Sequence, residues 1–273
     1  MAHRMDLKGR TAVVTGAASG IGRAIAVSLA QRGCHLALAD VNDAGLAETG
    51  ALVAQPGVRV SQHHLDVADR AAVAAFPEIV QATHPGVDLL INNAGVALGG
   101  TFEQVSDEDF EWLFEINFWG VVRLTRAFLP LLKASDEARI VNLSSLYGII
   151  APPGQTAYSA SKFAVRGFST ALRYELAGTP VGVTVVHPGG VATAIARNAR
   201  VAKAVSAEEE ALAREEYDRL LRLPPETAGE TIVRGIERRA RVLVGSDARI
   251  ISLIERAVPV SYGPLLERMK RWL

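Results

Sequence analysis

The chain has 273 residues, 49% of them hydrophobic, and its 29 acidic and 29 basic side chains cancel. Zero net charge gives no electrostatic pull toward nucleic acid or an anionic membrane, and no run of about 18 apolar residues offers a transmembrane segment. The lone cysteine, Cys34, excludes an internal disulfide and fits a reducing, cytoplasmic setting, with no secretory signal expected.

Residues 11–15, Thr-Ala-Val-Val-Thr, predict a short buried parallel strand. Gly16, Gly20 and Gly22 follow directly, with Ser19 and Ile21 between them, and residues 23–30 place apolar side chains at helical spacing. Strand, glycine turn and helix together make a phosphate-binding turn. Gly16 allows the tight turn, Gly20 lets the backbone approach a phosphate, and Gly22 lets helix and strand pack closely. The helix N-terminus then offers free amides and a positive dipole end to a pyrophosphate. The spacing is T-G-x-x-x-G-x-G, not G-x-G-x-x-G.

Cys34 lies at the turn before a second strand, residues 35–40, and reads as a buried small hydrophobe. The strand ends in Asp40, placed about 20 residues past the glycines to bond an adenosine ribose diol and to repel a 2′-phosphate. Ser19 and Val41 supply no cation, and Arg23, the nearest base, lies on the helix after the loop. Further strands are predicted at residues 58–63, 87–91, 140–143, 181–186 and 242–244, with helical patterns between them. That alternation predicts a single α/β domain built on a Rossmann-type, doubly wound parallel sheet, with ligands at the carboxyl ends of the strands. Gly16, Asp40, Asp66, Asn93, Ser145 and Pro188 all fall at such ends.

His63 and His64 are adjacent on a strand and face opposite ways, so they cannot chelate together, and no metal site is expected. His187 reads as a strand-end packing residue. Arg234, Arg238, Arg239 and Arg241 read as a solvated helix face, and Glu208, Glu209, Glu210, Glu215 and Glu216 as solvent-facing.

Two helical stretches, residues 110–132 with Trp112, Phe114, Phe118 and Trp119, and residues 157–177, are more apolar than one-sided burial requires. The second carries Tyr158 and Lys162, four residues apart and therefore on one helix face. A phenol ordinarily ionises near pH ~10. A fixed positive charge beside it favours the phenolate, and a tyrosine tuned in this way can trade a proton with an alcohol or ketone near neutral pH.

Taken together, these motifs resemble the short-chain dehydrogenase/reductase (SDR) family over residues 7–245. The matching positions are Thr15, Gly16, Gly20 and Gly22; Asp66 and Val67; Asn92, Asn93, Ala94 and Gly95; Asn117 and Gly120; Ser145; Tyr158 and Lys162; and Pro188, Gly189 and Thr193. The resemblance implies that Asp66 bonds the adenine amino group and that Asn92 ties the central strands together. It implies that Asn117 holds a proton-relay water and that residues 188–193, Val191 included, cup a nicotinamide. Ser144 and Ser145 point to opposite faces of a strand end. The family places its serine thirteen residues before the tyrosine, which selects Ser145 to orient the substrate oxygen and leaves Ser144 a structural hydrogen bond.

The expected cofactor is NAD, with NADP disfavoured by Asp40. The expected reaction interconverts a neutral, hydrophobic secondary alcohol and its ketone, because Val96, Ala97, Leu98, Leu146, Tyr147, Ile149 and Ile150 form apolar walls. An NADPH-dependent carbonyl reductase is the alternative. A non-catalytic nucleotide-binding protein would have lost Ser145, Tyr158 or Lys162, and all three are present. Residues 194–223 are expected to form a helical lid, with Leu212, Tyr217, Leu220 and Leu221 on an apolar stripe, inside a catalytic domain of residues 1–245. Residues 246–273 are a C-terminal extension that could close the pocket, add a subunit contact or lie on a membrane surface. The family resemblance also implies a homodimer or homotetramer through the two apolar helices.

Overall fold

The computed structural model describes residues 4–238 and 241–265. In chain order the elements are β1 (Thr11–Thr15), α1 (Gly20–Ala30), β2 (His35–Asp40), α2 (Asp43–Val53), β3 (Val60–His64), α3 (Arg70–Gln81), β4 (Leu89–Asn92) and β5 (Leu98–Gly99). Then come α4 (Asp107–Phe114), a π turn (Glu115–Trp119), α5 (Gly120–Ala134), β6 (Ala138–Leu143), a 3₁₀ turn (Leu146–Gly148) and α6 (Thr156–Glu175). The chain continues through β7 (Val181–Pro188), β8 (Arg200–Val201), α7 (Ala207–Leu220), α8 (Pro225–Glu237), β9 (Val242–Val244) and α9 (Ser246–Ala257).

Seven parallel strands form one sheet in the order β3-β2-β1-β4-β6-β7-β9. Its strands alternate between two apolar layers, as the two-residue period of a strand requires. Ala12, Val14, Leu36, Leu38, Leu89 and Ile91 face a layer shared with Ile25 and Leu29 of α1 and Ile232 and Ile236 of α8. Val13, Ala37, Leu90 and Ile140 face the other, with Phe76 of α3, Phe128 of α5 and Leu172 of α6. Strand order reverses between β1 and β4, and a crevice at the carboxyl ends of such a pair is where doubly wound sheets bind ligands.

The structure moves several predicted boundaries. The first helix begins at Gly20 and not at residue 23, so the glycine turn supplies its opening turn. The third and fourth strands lie at Val60–His64 and Leu89–Asn92. The stretch 110–132 is broken by the π turn, which shifts the helical register at Asn117. A two-stranded parallel sheet, β5 with β8, ties residues 98–99 to residues 200–201.

Of the apolar stripe expected on residues 194–223, Leu212 and Leu220 face solvent and Leu221 is half-buried. Leu212 is 62% exposed and Leu220 is 45% exposed on α7, while the Tyr217 side chain lies outside the described residues. The sequence of α7, Ala-Glu-Glu-Glu-Ala-Leu-Ala-Arg-Glu-Glu-Tyr-Asp-Arg-Leu, explains this. Charge surrounds the helix, and i,i+4 pairs Glu210–Arg214 and Glu215–Arg219 support it in water. Arg234 pairs with Glu230 on α8, whereas Arg241 precedes β9 and is not on a helix; Arg239 lies outside the described residues. Among the described residues, no helix is long and apolar enough to cross a membrane.

Candidate active site

The carboxyl end of β1 is tied to that of β4 by side chains. The Thr15 hydroxyl donates to the Ile91 carbonyl at 3.2 Å and accepts from the amides of Asn93 and Ala94, both at 3.1 Å. Asn93 Nδ2 donates to the carbonyls of Thr15 (2.9 Å) and Gly16 (3.0 Å). Gly16 and Gly20 take φ of 64° and 53°, which an L side chain rarely adopts. A Cβ on Gly22 would lie 2.0 Å from the Gly16 carbonyl oxygen, so this helix can approach the turn only with glycine there.

Ser19 stands at the N-cap of α1, is exposed, and makes no side-chain capping bond. The opening amides of α1 are thus left to an anion, as a pyrophosphate requires. Asp40 shapes the same turn: its Oδ2 accepts from the Ala18 amide at 3.0 Å and its Oδ1 from the Asn42 amide at 3.0 Å. Arg23 donates to the Ala18 carbonyl of the turn itself (2.5 Å) and to Glu48 (2.7 Å) and Thr49 (3.0 Å). Asp66 is exposed after β3 and its Oδ1 accepts from the Ala68 amide, while Val67 is buried under Gly120. On the far side, residues 189–193 follow β7, with Val191 buried, and bring the Thr193 side chain within 3.1 Å of where a Gly20 Cβ would sit. The glycine turn, Asp40 and residues 189–193 thus gather at the carboxyl ends of β1, β2 and β7.

Tyr158 and Lys162 lie in the first two turns of α6. Lys162 is buried, its ammonium 5.6 Å from the Tyr158 ring centroid and 3.2 Å from the Leu143 carbonyl that accepts from it. Burial pushes its pKa down from 10.5 to about 8. Asn117, fully buried in the π turn, stands beside it: a Cβ on Gly95 would lie 3.0 Å from Asn117 Oδ1 and 3.3 Å from Lys162 Nζ. Asn117 Oδ1 accepts from the Val96 amide at 2.8 Å and its Nδ2 donates to the Val96 carbonyl at 3.0 Å. Ser145 Oγ accepts from the Tyr147 amide at 3.1 Å, and the Tyr147 ring meets the Tyr158 ring edge-on at 6.1 Å. Ser144 turns the other way and donates to the Lys162 carbonyl at 2.9 Å, which fixes α6 against the end of β6. Asn92 Nδ2 donates to Asn142 at 2.8 Å across β4 and β6.

His187 is fully buried and its pKa is pushed down to about 4 by desolvation, so the imidazole is neutral. Its Nδ1–H donates to the Ser145 carbonyl at 2.9 Å, which ties β7 to the segment carrying the serine. Apolar side chains border the site on two sides: Leu146, Ile149, Ile150, Ile251 and Tyr262 on one, and Val96, Leu98 and Phe110 around Tyr158 on the other.

The structure brings Gly16 to Asn93, Gly20 to Thr193, and Gly95 to Asn117 and Lys162, with Lys162 near Tyr158; Asp66 stands apart, bonded to the Ala68 amide. Sequence reasoning missed Thr15 as the pin between strands, His187 as the partner of Ser145, and Asp247 of α9, whose Oδ2 accepts from the Gly190 amide at 2.7 Å. An aspartate just after a strand and a glycine was the available signal for the last.

The sequence matches the profile described as short chain dehydrogenase over residues 10–204. It is 47% identical over 265 residues to the oxidoreductase SadH of Mycobacterium tuberculosis, covering 96% of this chain and 95% of that protein. It is 32% identical over 226 residues to the D-beta-hydroxybutyrate dehydrogenase of Cupriavidus necator, covering 83% and 86%. The fold is similar to that of a short-chain dehydrogenase/reductase from Burkholderia phymatum solved in complex with NAD, with a TM-score of 0.84 and 31% identity over 93% of this chain and 95% of that one.

The depressed Lys162 value gives a prediction for stability against pH. From about pH 8 to the ordinary 10.5, the unfolded chain holds a proton that the folded chain has released. Burying the charged form destabilises the fold below that window, and the penalty is relieved as pH rises through it. Wild type should therefore gain stability relative to Lys162→Met between pH 8 and 10, by at most about 1.4 kcal/mol per pH unit. Urea unfolding of both proteins across this range measures it, and a constant difference would contradict it.

Proposed function

The chain belongs to the short-chain dehydrogenase family, and from that membership we propose that it is an NAD-linked oxidoreductase interconverting a neutral, apolar secondary alcohol and its ketone. The observation that carries the proposal is the buried Lys162 ammonium beside the Tyr158 ring, at the crevice whose glycine turn leaves helix amides open. Bound NAD supplies the hydride acceptor. Tyr158 takes the hydroxyl proton of the alcohol as general base and returns it in the reverse reaction. Lys162 favours the phenolate by its charge. Ser145 Oγ accepts from the Tyr147 amide and keeps its own O–H to donate to the substrate oxygen. Asn117, its side-chain amide bonded to Val96 and Ser161, holds a relay water beside Lys162 in this reading.

Preference for NAD rests on Asp40. Its carboxylate offers charge-assisted hydrogen bonds to a ribose diol and repels a 2′-phosphate, while Arg23 is engaged by Glu48, Thr49 and the Ala18 carbonyl. The apolar groups around Tyr158 and after Ser145 favour an uncharged substrate. Residues 194–223 serve as a lid in this reading, with the exposed Leu212 and Leu220 available to cover the substrate. Trp119 (44% exposed) and Phe163 (38% exposed), flanking α5 and on α6, meet a second copy in a homo-oligomer. The buried Cys34 thiol suits a cytoplasmic setting.

Two experiments test this reading. Tyr158→Phe should bind NAD as wild type does and lose turnover on secondary alcohols by about 10²- to 10⁴-fold; wild-type turnover would remove Tyr158 from its role. Wild type should show a higher kcat/KM with NAD than with NADP, and Asp40→Ala should narrow the gap mainly by weakening NAD. An enzyme that works better with NADP would refute the role of Asp40.

A further inference from the structure

The C-terminal extension reaches both sides of the reaction site. Gly245, with φ of 99°, turns the chain from β9 into α9. The first turn of α9 then sets the Asp247 carboxylate against residues 188–193. Asp247 Oδ2 accepts from the Gly190 amide at 2.7 Å. A Cβ on Gly189 would lie 2.2 Å from the same oxygen, and one on Gly245 would lie 2.2 Å from Oδ1. Two glycines are therefore required for this carboxylate to come so close, a cost in chain entropy that a surface aspartate does not need.

Gly190 is a junction. Its amide goes to Asp247, and its carbonyl accepts from the amides of Arg222 (3.0 Å) and Leu223 (2.9 Å) at the end of the lid segment. Beyond it, Val191 is buried and Thr193 stands over Gly20. Farther along the extension, Ala248, Ile251 and Tyr262 pack on Leu146, Ile149 and Ile150 after Ser145, and the Tyr262 hydroxyl accepts from the Ala151 amide at 3.1 Å.

We propose that Asp247 is a positioning residue: by holding the Gly190 amide it fixes residues 188–193 in the form that receives the nicotinamide end of NAD, and so makes the C-terminal extension part of the cofactor site. The proposal rests on the NAD reading above. The carboxylate acts through a charge-assisted hydrogen bond to a backbone amide. It is favoured there by the positive end of α9. With the Gly190 peptide held, Thr193 keeps its place over Gly20, and the end of the lid keeps its anchor.

Asp247→Ala and Asp247→Asn test the assignment, with three readouts: hydrogen exchange of the Gly190 amide in the free protein, NAD dissociation constant by intrinsic fluorescence, and thermal unfolding. Alanine should expose the Gly190 amide to exchange and weaken NAD by about 10- to 100-fold, the worth of a hydrogen bond to a charged group. Asparagine, which keeps an acceptor, should restore most of the protection and most of the binding. A Gly190 amide as protected in the alanine variant as in wild type would overturn the proposal, as would asparagine failing to the same degree as alanine. NAD binding within twofold of wild type in the alanine variant would do so too. If alanine does not fold, asparagine alone decides, by near-native protection and binding or their loss. Wild-type protein that does not bind NAD would refute the cofactor reading itself, while exchange at Gly190 would still report on the clamp.

Discussion

Taking the Lys162 ammonium out of water carries a desolvation penalty of several kcal/mol, and the residues around it are arranged to offset that penalty. The Leu143 carbonyl accepts from it and the face of Tyr158 lies near it. Gly95 has no side chain to displace it, and the π turn places Asn117 alongside. Its own backbone is pinned, because Ser144 donates to the Lys162 carbonyl. A charge held this way is screened by solvent less than that of a surface lysine, and in the proposed mechanism it acts on the neighbouring phenol. The depressed Lys162 value originates in burial, and the tuning of Tyr158 proposed above draws on the same burial.

The sheet supplies the frame for this arrangement. Order reverses between β1 and β4, and side chains of Thr15 and Asn93 lock the two strand ends together. The glycine turn is thereby fixed relative to Gly95, Asn117 and Lys162. On the other half of the sheet, His187 joins β7 to Ser145, and Asp247 joins α9 to the loop after β7. The Ser145 and Gly190 backbones are thus each held by a neighbouring side chain, as a preorganised site requires.

Much of this was legible in the sequence, for physical reasons. Residues 11–15, 35–40 and 242–244 were read with the observed bounds, because short β-branched or apolar runs leave few alternatives to a strand buried on both faces. The glycines, Tyr158 and Lys162 could be read because their chemistry depends on local spacing. The π turn could not: nothing in Glu115-Ile-Asn-Phe-Trp119 marks an extra residue in the helical ladder, and tertiary bonds from Asn117 to Val96 accompany it. The exposure of Leu212 and Leu220 on α7 was not legible from their helical spacing, because that spacing leaves out the charge around them. Asp247 and His187 were missed because their partners are backbone groups 57 and 42 residues away, which a side-chain pattern does not reveal.

The claim that a buried charge tunes Tyr158 is tested most directly by following the phenol itself. Tyrosine labelled with carbon-13 at Cζ reports ionisation by NMR, with Tyr158 assigned by its absence from Tyr158→Phe. In wild type the Tyr158 resonance should shift to the phenolate position at a lower pH than in Lys162→Met. If both proteins titrate at the same pH, the ammonium does not tune the phenol, and the account of the site fails at its centre.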